Sequence, residues 1–154
     1  MAGAKSLLEI GSRCGYTLVD LAREMPRGAR VVSVDLPDAE GWNDAISAQA
    51  IVHLRSNIEL LRAEGYDAAL IEGDSHTKAV LERVKAMGPY DIVFIDGDHS
   101  YEGVLQDWID YGPLGRIVMF HDIREPQPPE WMGLGVWRLW RELKEELPAE
   151  EFLA

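Results

Sequence analysis

The chain has 154 residues, 47% hydrophobic and 27% charged, which is enough for one compact domain with a real core and calls for no second domain. Its formal net charge of −12 disfavours a large phosphate-binding face, because nucleic-acid binders cluster Lys and Arg to displace counterions. A small or cationic ligand fits better, and the acidic residues, densest over Glu142 to Glu151, otherwise read as a solubilising surface.

Ser6 to Ile10 supplies Leu7, Leu8 and Ile10 as strand material, and Thr17 to Met25 places Leu18, Leu21, Ala22 and Met25 at helical spacing. Between them lies Glu9-Ile10-Gly11-Ser12-Arg13-Cys14-Gly15, a carboxylate and two glycines where a strand turns into a helix. Such a turn lets backbone approach a ligand closely, and the helix start offers free N–H groups. Ala29 to Val34 is a second strand ending before Asp35; Ile51, Leu54, Ile58 and Leu61 stripe a helix ending near Gly65; Ala68 to Ile71 is a third strand before Glu72. Val80, Leu81, Val84 and Met87 mark a helix, Asp91 to Ile95 a fourth strand, Tyr101, Val104, Leu105 and Trp108 a helix, and Ile117 to Phe120 a fifth strand. Pro126, Pro128 and Pro129 mark a loop, followed by a helix bearing Leu134, Trp137, Trp140, Leu143 and Leu147.

Apolar strands alternating with amphipathic helices imply parallel pairing, since short loops cannot join parallel neighbours. The predicted fold is a doubly wound, Rossmann-like α/β sheet, mostly parallel, of order 3-2-1-4-5, forming a single domain over residues 1–154. Its ligand crevice is expected at the carboxyl ends of the first and fourth strands.

No apolar stretch approaches the roughly 20 residues needed to cross a bilayer, and no secretory segment opens the chain, so no membrane association and a cytoplasmic location are expected. Cys14 is the only cysteine, which leaves no internal disulfide and no zinc-like Cys/His spacing, though a loop thiol can be reactive. The spacing G-x-x-x-G from Gly11 to Gly15 lacks the dinucleotide pattern G-x-G-x-x-G, so a nicotinamide cofactor is not favoured. Asp35, twenty positions after Gly15, can accept both hydroxyl hydrogens of a ribose or cap a turn. Asp74 and Ser75 suit an adenine edge or the cap of the next helix; His76 and His53 read as capping or surface residues.

These positions resemble the class I S-adenosylmethionine-dependent methyltransferases, with an acidic residue and glycine turn as first motif and an acidic strand end as second. Phe94-Ile95-Asp96-Gly97-Asp98-His99-Ser100-Tyr101 and Phe120-His121-Asp122-Ile123 are similar to the small-molecule O-methyltransferases that share a cephalosporin-hydroxylase-like or catechol-methyltransferase-like core. The resemblance covers nearly the whole chain. It implies that Glu9, Gly11, Ser12 and Gly15 form the methionine-side loop, that Asp35 holds the ribose, that Leu36 beside it also lines the cofactor site, and that Asp74 and Ser75 face adenine. Asp96, Asp98 and His99 border the same pocket, and S-adenosylmethionine is the expected cofactor. Trp42 is placed to cover the adenosine, and Trp131, Trp137 and Trp140 offer an aromatic wall for an acceptor, although the helical spacing of Trp137 and Trp140 favours core packing for those two. Asp96, His121 and Asp122 would hold a divalent metal; imidazole favours manganese or another transition metal over magnesium. His99 is the candidate base, with Asp96 as the second catalytic residue.

The implied activity is of the EC 2.1.1 type, methylation of a hydroxyl on a small molecule such as a sugar, phenol or natural product. The alternative is a noncatalytic adenosyl-ligand binding or interaction domain. The resembling enzymes carry helices before the first strand and a terminal antiparallel strand pair; set against them, a fold with shortened N- and C-terminal ends is expected here, with Phe152-Leu153 as the start of a sixth strand. A sheet edge left open in this way can pair with another chain, so a homodimer is one expected state.

Overall fold

The computed structural model describes residues 3–37, 47–125 and 135–152. The strands are β1 (Ser6–Ile10), β2 (Arg30–Asp35), β3 (Asp67–Glu72), β4 (Tyr90–Ile95) and β5 (Gly115–Phe120). The helices are α1 (Tyr16–Arg23), α2 (Ser47–Ala63), α3 (Lys78–Met87), α4 (Tyr101–Tyr111) and α5 (Val136–Glu146). All strand pairs are parallel and the order is β3-β2-β1-β4-β5, as expected from the alternation of apolar strands and amphipathic helices. Among the described residues no sixth strand forms; Phe152 is exposed outside any strand, and Leu153 lies outside the described residues.

The pleat sends alternate β1 side chains to opposite faces. Leu7 packs with Leu18 and Ala22 of α1 and Leu54, Ile58 and Leu61 of α2. Leu8 and Ile10 pack on the other face, with Val80 and Val84 of α3, Val104 and Tyr111 of α4, and Val136 and Leu139 of α5. Each fully buried leucine contributes about 2 kcal/mol by leaving water, and the paired cores fix where the strand ends emerge. Among the described residues no helix is long and apolar enough to cross a membrane.

Register then sets the site. Glu9 lies between Ser33 of β2 and Phe94 of β4, while Ile10 is level with Val34 and Ile95. The loops leaving β1, β2 and β4 therefore open at one level, on the carboxyl edge of the sheet.

Candidate functional site

The loop after β1 is held by backbone geometry that only glycine permits at two points. Gly11 has φ +83°, its N–H donates to the Val34 carbonyl (2.9 Å), and a Cβ there would lie 2.2 Å from the Asp96 carbonyl oxygen. Gly15 has φ +79°, donates to the Ser12 carbonyl (2.7 Å), and packs so closely on Leu54 that a Cβ would meet its Cδ1 at 2.7 Å. Asn57 of α2 steadies the loop by donating to the Cys14 carbonyl (2.8 Å). The Cys14 side chain is buried, so the reactive loop thiol allowed by the sequence is shielded by packing.

Glu9 is 1% exposed, and its Oε2 has no hydrogen-bond partner among the described residues. Burial pushes its carboxyl up to about 8; the Ser12 hydroxyl works in the opposite direction, and the charges of Asp96 and Asp35 add to the rise. Ser12 is also buried, its hydroxyl accepting from Ser33 (2.7 Å). A buried carboxyl with an open acceptor is primed for a donor arriving from the crevice.

Asp35 ends β2 and grips the glycine loop, accepting the Arg13 N–H at Oδ2. Burial raises its carboxyl, opposed by the N–H groups of Arg13, Leu36 and Ser12. Asp35 thus performs the turn-capping role, and Leu36 beside it is 47% exposed on the same rim. Tyr16, which sequence reasoning passed over, is 64% exposed at the first position of α1; a large exposed aromatic directly after Gly15 was the available signal.

Asp74 and Ser75 follow β3. Asp74 accepts the His76 N–H (2.9 Å), and α3 is preceded by Thr77, so Asp74 shapes the turn and does not itself cap the helix. His76 is no free surface residue: its Nε2 faces the Gly103 carbonyl at 3.2 Å and Asp107 Oδ1 at 3.3 Å, both on α4. His53 is exposed, as expected.

The loop after β4 carries Asp96, Asp98 and His99. Asp98 bonds within its own turn, accepting the Ser100 N–H at 2.8 Å, and packs where a side chain on Gly103 would stand. Asp96, His99, His121 and Asp122 form a closed ring. His99 Nε2 lies 3.1 Å from Asp96 Oδ1 and its Nδ1 3.3 Å from Asp122 Oδ2. His121 Nδ1 lies 3.3 Å from Asp96 Oδ1 and 3.1 Å from Asp122 Oδ1. The hydrogen bond to Asp96 is the main reason the His99 imidazole is held above its ordinary pKa; burial opposes it, and the charges of Asp96 and Asp122 reinforce it. Asp122 has φ +52° and Arg13 φ +50°, the two non-glycine residues with positive φ among the described residues, and both lie on this rim.

The ring brings together the three residues expected to bind metal. Among the described residues no three His, Cys, Asp or Glu side chains already converge as a metal-binding set, because the imidazoles stand between the carboxylates. The donor types still fit a divalent ion: two carboxylates and an imidazole from adjacent strand ends suit manganese, iron or zinc better than magnesium. Trp42 and Trp131 lie outside the described residues. Trp140 packs on Phe120, with centroids 6.0 Å apart, in agreement with a core role, and Trp137 lies against Arg141.

Residues 8–123 match the family model described as a methyltransferase domain. The chain belongs to that family. Its class I, Rossmann-like architecture is that of S-adenosylmethionine-dependent methyltransferases. The methyltransferase domain is similar in fold to an O-methyltransferase from Bacillus cereus in complex with SAH, with a TM-score of 0.62, 22% identity, and coverage of 94% of this chain and 64% of that one. It is also similar to the O-methyltransferase TomG from Streptomyces achromogenes, involved in tomaymycin synthesis and solved with SAM; the TM-score is 0.63, identity 20%, and coverage 94% and 63%. The MycE methyltransferase of the mycinamycin pathway, in complex with Mg and SAH, aligns with a TM-score of 0.52, 18% identity, and coverage of 99% and 40%. The chain therefore spans less than two thirds of the length of these structures. Curated protein sequences give no match.

Proposed function

We propose that this domain binds S-adenosylmethionine in the crevice and transfers its methyl group to a hydroxyl of a small molecule. The observation that carries this reading is the meeting of Gly11 with Asp96, where a Cβ would lie 2.2 Å from the Asp96 carbonyl oxygen. That contact makes the glycine loop and the acid–imidazole ring adjoining walls of one crevice. The SAH and SAM bound to the two O-methyltransferases of similar fold support it.

In this reading the open Oε2 of Glu9 receives a donor from the methionine end of the cofactor, and acidic strand ends favour the sulfonium cation. Asp35 accepts from the ribose hydroxyls on the oxygen not engaged by the loop. Leu36, Asp74 and Ser75 border adenine. The acceptor hydroxyl enters beside Asp96 and His99. Its oxygen forms a bond to the methyl carbon as the carbon–sulfur bond breaks, the electron pair stays on sulfur, and S-adenosylhomocysteine leaves. His99, oriented by Asp96 and Asp122, takes the hydroxyl proton when its ring is neutral. Asp96, His121 and Asp122 would hold a divalent ion, which supplies Lewis-acid activation of the hydroxyl; Mg in the MycE complex supports this assignment.

Incubation with methyl-labelled S-adenosylmethionine and a panel of phenols, sugars and hydroxylated natural products tests the reading. Labelled methyl ether is expected from the wild type and a loss of roughly 100-fold or more in His99→Ala. Cofactor binding with no transfer to any acceptor would favour the noncatalytic alternative. Titration of Mn²⁺ and Mg²⁺ into wild type and Asp96→Ala checks the metal; equal binding by both proteins would remove it from the scheme.

A further inference from the structure

The loop after β3 and the helix after β4 are joined beneath the crevice by a buried carboxylate. Asp107 of α4 is fully buried, with Oδ1 3.3 Å from His76 Nε2. A Cβ on Gly97 would lie 3.0 Å from its Oδ2, so the Asp96-Gly97-Asp98 turn rests on the same carboxylate. His76 Nε2 lies 3.2 Å from the Gly103 carbonyl and 3.3 Å from Asp107 Oδ1, so one ring nitrogen faces both α4 oxygens. One turn further along α4, buried Tyr111 donates its hydroxyl to the Ser75 carbonyl at 2.5 Å. Burial pushes the Asp107 carboxyl up to about 6, opposed first by the Ser75 hydroxyl and then by His76. Neither Asp107 oxygen has a hydrogen-bond partner of normal geometry among the described residues, so the His76 ion pair offsets the cost of the buried acid and, with the Tyr111–Ser75 hydrogen bond, fastens the loop to the helix.

We propose that Asp107, through His76, is a positioning residue that sets the Asp74-Ser75 loop against the Asp98 turn and thereby sets adenine recognition. The inference rests on the methyl-donor reading of the crevice. Asp107 makes no hydrogen bond or ion pair to the glycine loop or to the Asp96–His99 ring among the described residues, so its effect is read on cofactor affinity and base selectivity.

The test is calorimetric binding of S-adenosylhomocysteine and S-inosylhomocysteine to wild type, Asp107→Asn, His76→Leu and His76→Gln. The two ligands differ only at the purine 6-position, so their affinity ratio reports on the adenine loop; general destabilisation would weaken both alike. Asp107→Asn and His76→Leu should lower affinity for the adenosyl ligand about tenfold and shrink the ratio. His76→Gln, which offers a side-chain N–H near the position of Nε2, should restore most of both. Should Asp107→Asn fail to fold, the half-exposed position 76 still decides through the Leu and Gln pair. An unchanged ratio in His76→Leu, with wild type binding normally, would overturn the positioning role alone. Absence of binding by wild type would overturn the methyl-donor reading and this inference with it.

Discussion

Gly11 and Asp96 touch through their backbones across two neighbouring parallel strands, with the Gly11 α-carbon turned so that a Cβ would stand 2.2 Å from the Asp96 carbonyl oxygen and 2.5 Å from Gly97 Cα. Backbone cannot give way as a flexible side chain can. Gly11→Ala combines this collision with a positive φ and should destabilise the fold by roughly 2 to 4 kcal/mol. Urea denaturation measures the loss. Gly28→Ala has φ +84° but open space around it, and should cost about 1 kcal/mol; equal losses in the two variants would show that the Gly11 contact is unimportant.

Glu9 gives a pH prediction with a definite sign. Its carboxyl is raised from an ordinary 4.5 to about 8 by burial, so between these values the native state keeps a proton that the unfolded chain releases. Its contribution to stability is thus full below about pH 4.5 and fades as pH rises toward 8, by at most about 1.4 kcal/mol per unit. Glu9→Gln lacks this titration. The stability of the variant relative to wild type should rise by up to about 4 kcal/mol between pH 4.5 and 8, read from denaturation midpoints across that range. Parallel curves for the two proteins would mean that Glu9 is ionised in the folded state.

The fold was legible because β1, β2 and β4 are buried on both faces and therefore read as apolar runs, broken only by the buried polar Glu9 and Ser33 inside β1 and β2, whereas the helices carry stripes. Element ends were less so: β2 extends to Asp35 because its pairing with Glu72 continues the ladder past the last apolar residue. Glycine spacing and acidic strand ends marked Gly11, Gly15, Asp35 and Asp96, whose positions follow directly from topology. The partnership of His76 with Asp107 was not legible, since thirty-one positions and a strand separate them. A signal existed all the same. Asp107 falls on the buried stripe Gly103, Val104, Asp107, Tyr111, and an acid on the core side of a helix requires a partner.

The most direct measurement is calorimetric titration of S-adenosylhomocysteine into wild type and Asp35→Ala. Asp35 ends β2 beside Leu36 and holds the Arg13 amide of the glycine loop, so its removal takes away a ribose acceptor and loosens the loop together. The account predicts saturable one-site binding by the wild type and at least a tenfold weaker affinity, about 1.4 kcal/mol, in the variant. No binding by the wild type, or equal affinity in the two proteins, would contradict the assignment of this crevice to a methyl donor.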